Sequence, residues 1–161
     1  MELIKITEVN DTLAEMVSLF RVELRSYKGI ISKPNVDAGR EEMDEYLSAG
    51  FPVFAAMVDG KYAGYVVCRV DSEVVWVESI FVREEFRRQG VASALHSKAE
   101  EIAVSYGEDT VYNYVHPNNH RMISFLRKRG YTVLNLIEIR KPCKGERLTQ
   151  VINVGEHEFD Y

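Results

Sequence analysis

The sequence predicts a mixed α/β domain of the α+β kind, with about seven mostly antiparallel strands interleaved with four helices. Three observations carry that prediction. Apolar residues alternate with a period of two in several short runs, Asp59-Gly60 joins two of those runs as a tight hairpin, and a long helical stripe separates two later runs. The resulting order is βααβββαβαββ. A crossover as long as the one between residues 74–82 and 110–115 lets those two strands run parallel.

Taken in order, residues 2–7 alternate and form the first strand. Thr12-x-x-Glu15 has the form of a capping box, and Leu13, Met16, Val17, Phe20, Leu24 and Tyr27 follow at helical spacing until Gly29. A loop containing Pro34 leads to an acidic helix over residues 37–49, stopped by Gly50. Strands are expected at 51–58, 62–70 and 74–82, with Gly64 marking a bulge. Val91, Leu95, Ala99, Ile102, Ala103 and Tyr106 trace one stripe of a helix that Gly107 ends. The β-branched and aromatic residues of 110–115 form a strand. Asn119 then caps a short helix that ends in Arg127, Lys128 and Arg129 before Gly130. Two last strands are expected at 131–140 and 148–154, joined by a Pro142/Gly145 turn. No repeat, linker or low-complexity tract interrupts the chain, so residues 1–161 read as a single domain.

Composition narrows the function. Of the residues, 46% are hydrophobic and 28% are charged, the balance of a globular chain with a full core. A net charge of −5 with no basic stripe argues against nucleic acid and mildly favours cationic partners. No apolar run is long enough to span a membrane, and the N-terminal residues lack a signal-peptide pattern, which points to the cytoplasm. Cys68 and Cys143 form no paired motif and read as reduced thiols. His116 and His120 sit at a metal-like spacing, but Pro117 lies between them and no third ligand is near, so no metal is expected.

The stretch VESIFVREEFRRQGVASAL, residues 77–95, holds the strongest chemical signal. A strand feeds a helix whose first turn contains a glycine, an alanine and two arginines. Backbone N–H groups at a helix start have no internal partners and sit at the positive end of the dipole. Gly90 and Ala92 keep side chains clear of those donors, while Arg87 and Arg88 add charge at the rim. A phosphate-bearing ligand suits this turn.

With these residues in place, the chain resembles the GNAT superfamily of acyl-CoA-dependent N-acetyltransferases. Arg87-Arg88-Gln89-Gly90-Val91-Ala92 matches its R/Q-x-x-G-x-G/A hallmark, and Asn119 through Phe125 to Gly130-Tyr131 matches its second, an Asn, a short helix and a Gly-aromatic pair. The resemblance implies the GNAT fold: a central, mixed, mostly antiparallel twisted sheet of about seven strands with helices on both faces. It implies acetyl-CoA in a V-shaped cleft where the fourth and fifth strands splay apart. The pantetheine arm would lie along backbone groups of Ile80, Phe81 and Val82. The pyrophosphate would sit on Arg88, Gln89, Gly90, Val91, Ala92 and Ser93, with Asn119 and Phe125 on the far side of the cofactor.

Acetyl transfer needs a neutral amine, and an alkyl amine of pKa about 10.4 costs roughly 4.6 kcal/mol to deprotonate at neutral pH. Glu78 is the candidate general base. It interrupts an apolar strand and shares a face with Trp76, Ile80 and Val82, where desolvation would raise its pKa. The N–H of Val82 is the candidate oxyanion donor. The tyrosine that family members use as general acid falls at Leu126, a departure from the pattern. Tyr112, Tyr114 or Tyr131 could substitute from nearby, or a thiol of pKa about 8.5 leaves as thiolate at a cost of roughly 2 kcal/mol.

In the family the first two helices, their loop and the last strands shape the acceptor site. Here Glu23, Tyr27, Asp37, Glu41 and Glu42 make that region acidic, with Glu23 and Tyr27 the residues chosen for substrate contact. The expected acceptor is a small-molecule or peptide amine. The aromatic tail VINVGEHEFDY docks on its own domain or on a second subunit, and the resemblance implies a homodimer. The rival reading is a non-catalytic acyl-CoA-binding sensor or interaction module that kept the cofactor site and lost the acid.

Overall fold

A computed structural model describes residues Met1–Tyr161, which pack as two compact units, Met1–His116 and Pro117–Tyr161. In the first unit, strands β1 (Glu2–Lys5), β2 (Val53–Val58), β3 (Lys61–Asp71), β4 (Val74–Val82) and β5 (Tyr112–Asn113) form a sheet in that order. Neighbours from β1 to β4 are antiparallel, and β5 joins β4 in parallel. Helices α1 (Asp11–Ser26), α2 (Val36–Ser48) and α3 (Val91–Ser105) cover it.

The main core gathers Leu13, Met16 and Val17 of α1 and Met43 of α2 on Val53, Ala55, Tyr65, Val67 and Phe81 of the sheet. Gly39 lets α2 approach α1, since a Cβ there would stand 2.2 Å from the Ala14 carbonyl oxygen. On β3, a Cβ at Gly64 would meet the Phe81 carbonyl oxygen at 2.5 Å and Leu95 at 3.2 Å. The expected bulge is there: the β2–β3 register shifts between Ala56 and Met57, opposite Ala63, one residue before that glycine.

Several boundaries differ from the sequence expectation for physical reasons. Asn10, not Thr12, caps α1, because its side-chain oxygen accepts from the Leu13 N–H at 2.9 Å. Asn35 caps α2 in the same way through Ala38. β5 is only Tyr112–Asn113, shorter than the predicted strand.

In the second unit, α4 (His120–Lys128) is capped by Asn119, whose oxygen accepts from Met122 N–H at 3.0 Å. The predicted strand over residues 131–140 is not one. The last strands are β6 (Val151–Val154) and β7 (His157–Asp160), an antiparallel pair forming a two-stranded sheet. The seven strands therefore divide five and two.

Candidate active site

The β4–β5 pairing ends almost as soon as it begins. Trp76 faces Tyr112 and Val77 faces Asn113, after which Glu78–Val82 continues without a β5 partner. On the other side the same residues stay paired to β3. The phase of that ladder follows from the Arg83 N–H, which donates to the Ala63 carbonyl at 2.9 Å. Antiparallel pairs alternate between bonded and non-bonded, so Phe81 and Ser79 also direct their backbone groups to β3. Ile80 and Val82 direct theirs to the open edge. Of the three residues expected to line the pantetheine arm, Ile80 and Val82 present backbone groups there; Phe81 turns its backbone to β3 and its ring into the core.

Below this edge the chain makes a 3-10 turn at Glu84–Phe86 and enters α3. Arg88 (φ +63°) and Gly90 (φ +82°) are both left-handed, which folds the backbone back sharply before the helix. Gly90 is the N-cap, no side chain caps α3, and nothing lies within 4 Å of where a Gly90 Cβ would stand. Arg88, Gln89, Gly90 and Ser93 are exposed, Ala92 is half-buried and Val91 is buried in the core. An uncapped helix start beside an unpaired strand edge fits the diphosphate and amide groups of CoA.

Arg87 behaves differently from Arg88. Its Nε donates to the Val82 carbonyl at 2.9 Å, its Nη2 pairs with the Glu23 carboxylate, and its guanidinium lies 5.7 Å from the Phe81 ring centroid. Glu23, expected on the acceptor side, is thus tied to the loop. Tyr27 stacks on His116 with ring centroids 6.1 Å apart. Burial, with Lys28 nearby, holds the His116 pKa below the ordinary histidine value.

The expectation for Glu78 needs two corrections. Between Val67 and Cys68 the β3–β4 register shifts, with Val67 opposite Ser79 and Cys68 opposite Val77, so Glu78 is the extra residue of a bulge. Ser79 bonds the buried Tyr65 hydroxyl at 2.8 Å, and Glu78 Oε2 accepts from Arg69 Nε at 3.0 Å. Tyr65, Val67 and Arg69 share one face of β3, so Glu78 and Ser79 both point to the α1/α2 side. Trp76 stays with Glu78 there, but Ile80 and Val82 lie on the opposite face, toward α3. Nor is Glu78 desolvated: its side chain is 30% exposed and ion-paired.

The bulge brings Glu78 into a polar floor that sequence reasoning missed. The Arg69 guanidinium lies 4.1 Å from the Trp76 ring centroid, and Trp76 in turn packs on Tyr112 at 5.6 Å. Arg21 forks onto Glu42 through two bonds of 2.6 Å, and the Tyr46 hydroxyl donates to Glu42 at 2.6 Å. Burial, then the Glu42 carboxylate, pushes the Tyr46 phenol well above its usual value, and the charge of Glu78 adds a smaller push in the same direction. The bond to Glu42 likewise raises Arg21. Glu42 is therefore not a bare acid, whereas Asp37 and Glu41 are exposed. A cross-strand pairing of Arg69 with Glu78 was the available signal, visible only once the bulged register is known.

The second unit holds Asn119, Phe125 and Leu126. Asn119 spends its side-chain oxygen on the α4 cap, the Arg129 guanidinium lies 5.7 Å from the Phe125 ring centroid, and Leu126 is buried. Of the tyrosines considered as substitutes for an acid, Tyr112 packs on Trp76 and Tyr114 is 67% exposed. Tyr131 follows the helix, its N–H bonded to the Leu126 carbonyl at 3.1 Å. No group of three or more His, Cys, Asp or Glu side chains is arranged to hold a metal.

Comparison with known proteins assigns the family. The model of the acetyltransferase (GNAT) family matches residues 14–131, from α1 through α4. The chain belongs to the GNAT acetyltransferase family. An uncharacterized N-acetyltransferase of Methanocaldococcus jannaschii is 33% identical over 85 residues, 48% of this chain and 38% of that protein. This GNAT chain thus aligns with well under half of that relative's length. Among solved structures, AAC(6')-Iy in complex with the bisubstrate analog CoA-S-monomethyl-acetylneamine is 25% identical, with a TM-score of 0.64 over 88% of this chain and 98% of that one. The same aminoglycoside N-acetyltransferase in complex with CoA gives a TM-score of 0.60, covering 88% and 100%. The apo aminoglycoside 6'-N-acetyltransferase AAC(6')-IG from Acinetobacter haemolyticus shares the fold at 19% identity, with a TM-score of 0.62 over 89% and 99%.

Proposed function

We propose that this chain transfers an acetyl group from acetyl-CoA to a primary amine by direct attack in a ternary complex. The observation that carries the reading is the unpaired β4 edge at Ile80 and Val82, set beside the uncapped, glycine-led start of α3. The family match, and a 25% identical neighbour crystallised with CoA, support the same donor. That match crosses residue 116, which supports treating residues 1–161 as one domain.

In this reading the backbone N–H groups of Arg88, Gln89, Gly90, Val91, Ala92 and Ser93 receive the donor's diphosphate, the Ile80 backbone receives its amide-bearing arm, and the Val82 N–H is left for its acetyl end. Asn119 and Phe125 are assigned to the far side of the donor. Glu78, reaching the α1/α2 side from its bulge, accepts the proton of the incoming ammonium directly or through one water. The amine nitrogen then bonds the thioester carbonyl carbon, the Val82 N–H faces the developing oxyanion, the C–S bond breaks, and the nitrogen gives its second proton to solvent to leave the neutral amide. CoA leaves as thiolate and takes its proton from solvent, so Leu126 at the expected acid position does not block turnover.

The acceptor is a small-molecule amine. Aminoglycosides head the list because the structural neighbours are aminoglycoside acetyltransferases, and the exposed Asp37 and Glu41 of α2 favour a polycation. A cytoplasmic location suits the two free cysteines, one buried and one exposed. A homodimer suits the exposed apolar residues of 133–139.

The test is release of CoA thiol from acetyl-CoA across a panel of aminoglycosides, polyamines and lysine peptides. Amine-dependent release is expected from at least one class, and Glu78→Gln should lower kcat/KM about a hundredfold at neutral pH without weakening CoA binding. Saturable CoA binding with no release from any class would favour the non-catalytic module instead. An unchanged Glu78→Gln rate would remove Glu78 as the base.

A further inference from the structure

We propose that Glu23 is a positioning residue for the donor site, acting through Arg87, and not an acceptor-recognition group. This rests on the CoA reading above. The two residues lie 64 positions apart, on α1 and on the turn before α3, yet the Arg87 Nη2 reaches the Glu23 carboxylate directly. The remaining donor of interest, Nε, holds the Val82 carbonyl at 2.9 Å. That carbonyl is one of the groups β4 turns to its open edge, so Arg87 occupies an acceptor on the surface where the donor's arm would add. Pairing at both ends leaves the guanidinium few orientations, and both side chains are largely covered: 23% exposed for Arg87 and 31% for Glu23.

The consequence is mechanical and electrostatic. Arg87 immediately precedes the left-handed Arg88, and its own N–H closes the 3-10 turn on Glu84 at 3.1 Å. Its side chain therefore straps the start of the phosphate turn to the end of β4 and to α1. The backbone donors from Arg88 to Ser93 are useful only if they converge on one point, and the strap sets that convergence. Because Glu23 neutralises Arg87, the side-chain cation left at the turn for phosphate is the exposed Arg88. An incoming ammonium would have to displace a tethered guanidinium from Glu23, which is present at high effective concentration. That makes Glu23 a poor acceptor contact and a good anchor.

The experiment is a calorimetric titration of CoA into the full chain, comparing wild type, Glu23→Gln, Arg87→Lys and the double variant. Each single substitution is expected to weaken CoA about tenfold, and the double variant little further, since both break one strap. The KM of whichever amine turns over, measured at saturating acetyl-CoA, should change by less than about twofold, because the strap does not touch the acceptor. Unchanged CoA affinity in Glu23→Gln, above all with a raised amine KM, would overturn the inference and return Glu23 to the acceptor site. If Glu23→Gln does not fold, Arg87→Lys carries the same prediction against wild type. A wild-type chain that binds no CoA would overturn the donor reading itself, and this inference with it.

Discussion

Acid–base behaviour at individual residues here is set by neighbours that are distant in sequence. Glu78 illustrates it: a carboxylate in an apolar strand suggests desolvation, yet Arg69 meets it from β3 and orients it through an ion pair. A carboxylate fixed in this way points in one direction, set by the strand register and not by its own strand. His116 shows the opposite balance. Burial, with a contribution from Lys28, favours its neutral form while it stacks on Tyr27. Its folded pKa lies below its unfolded one, so the unfolded chain binds more protons at intermediate pH. Its stabilising share is complete above the unfolded pKa of about 6.5 and is lost as pH falls from there toward the folded value. The melting temperature of wild type should therefore drop more between pH 7.5 and 5.5, about one unit either side of that pKa, than that of His116→Gln. Equal drops would show that the ring gains nothing from its neutral state.

Among the elements, local signals were readable where one strand or helix contains its own instructions. β4 falls on the residues its alternation predicts, and α4 begins where Asn119 offers an N-cap and ends in its basic turn. The segment 131–140 alternates as clearly, but period two is only permission to be a strand; the ladder has to come from a neighbour, and the sequence does not name one. The bulge at Glu78 was illegible for a related reason. It is a property of the β3–β4 register, and no residue in β4 announces it. Helix contact is likewise decided by a residue that seems unremarkable in sequence. Gly39 lies within the acidic α2, where alanine has the better helix propensity, but α1 passes too close for a Cβ. Gly39→Ala should destabilise the fold by about 1–3 kcal/mol in denaturant unfolding, despite the propensity gain. A stabilised variant would mean that α2 can shift away from α1 at little cost.

For the whole molecule, the distribution of apolar surface bears on assembly. Val133, Leu134, Leu136 and Ile139 are 87%, 72%, 76% and 63% exposed, a run of exposed aliphatic side chains close together in sequence. Water around four such neighbours is unfavourable by about 25 cal/mol per Å² of apolar surface, and covering them is the usual remedy. In a segment with strand-like alternation and no ladder, a second copy supplies both the cover and the backbone partners, which is why the dimer is proposed. The prediction follows in mass. Wild type should sediment as a dimer at micromolar concentration, and Leu134→Lys together with Leu136→Lys should shift it to monomer. Because these positions lie outside the turn that is proposed to hold CoA, the same double variant should still titrate with CoA. A wild-type chain that remains monomeric at high concentration would mean that the cover comes from the chain itself, and the exposed run would then be a docking strand for its own fold.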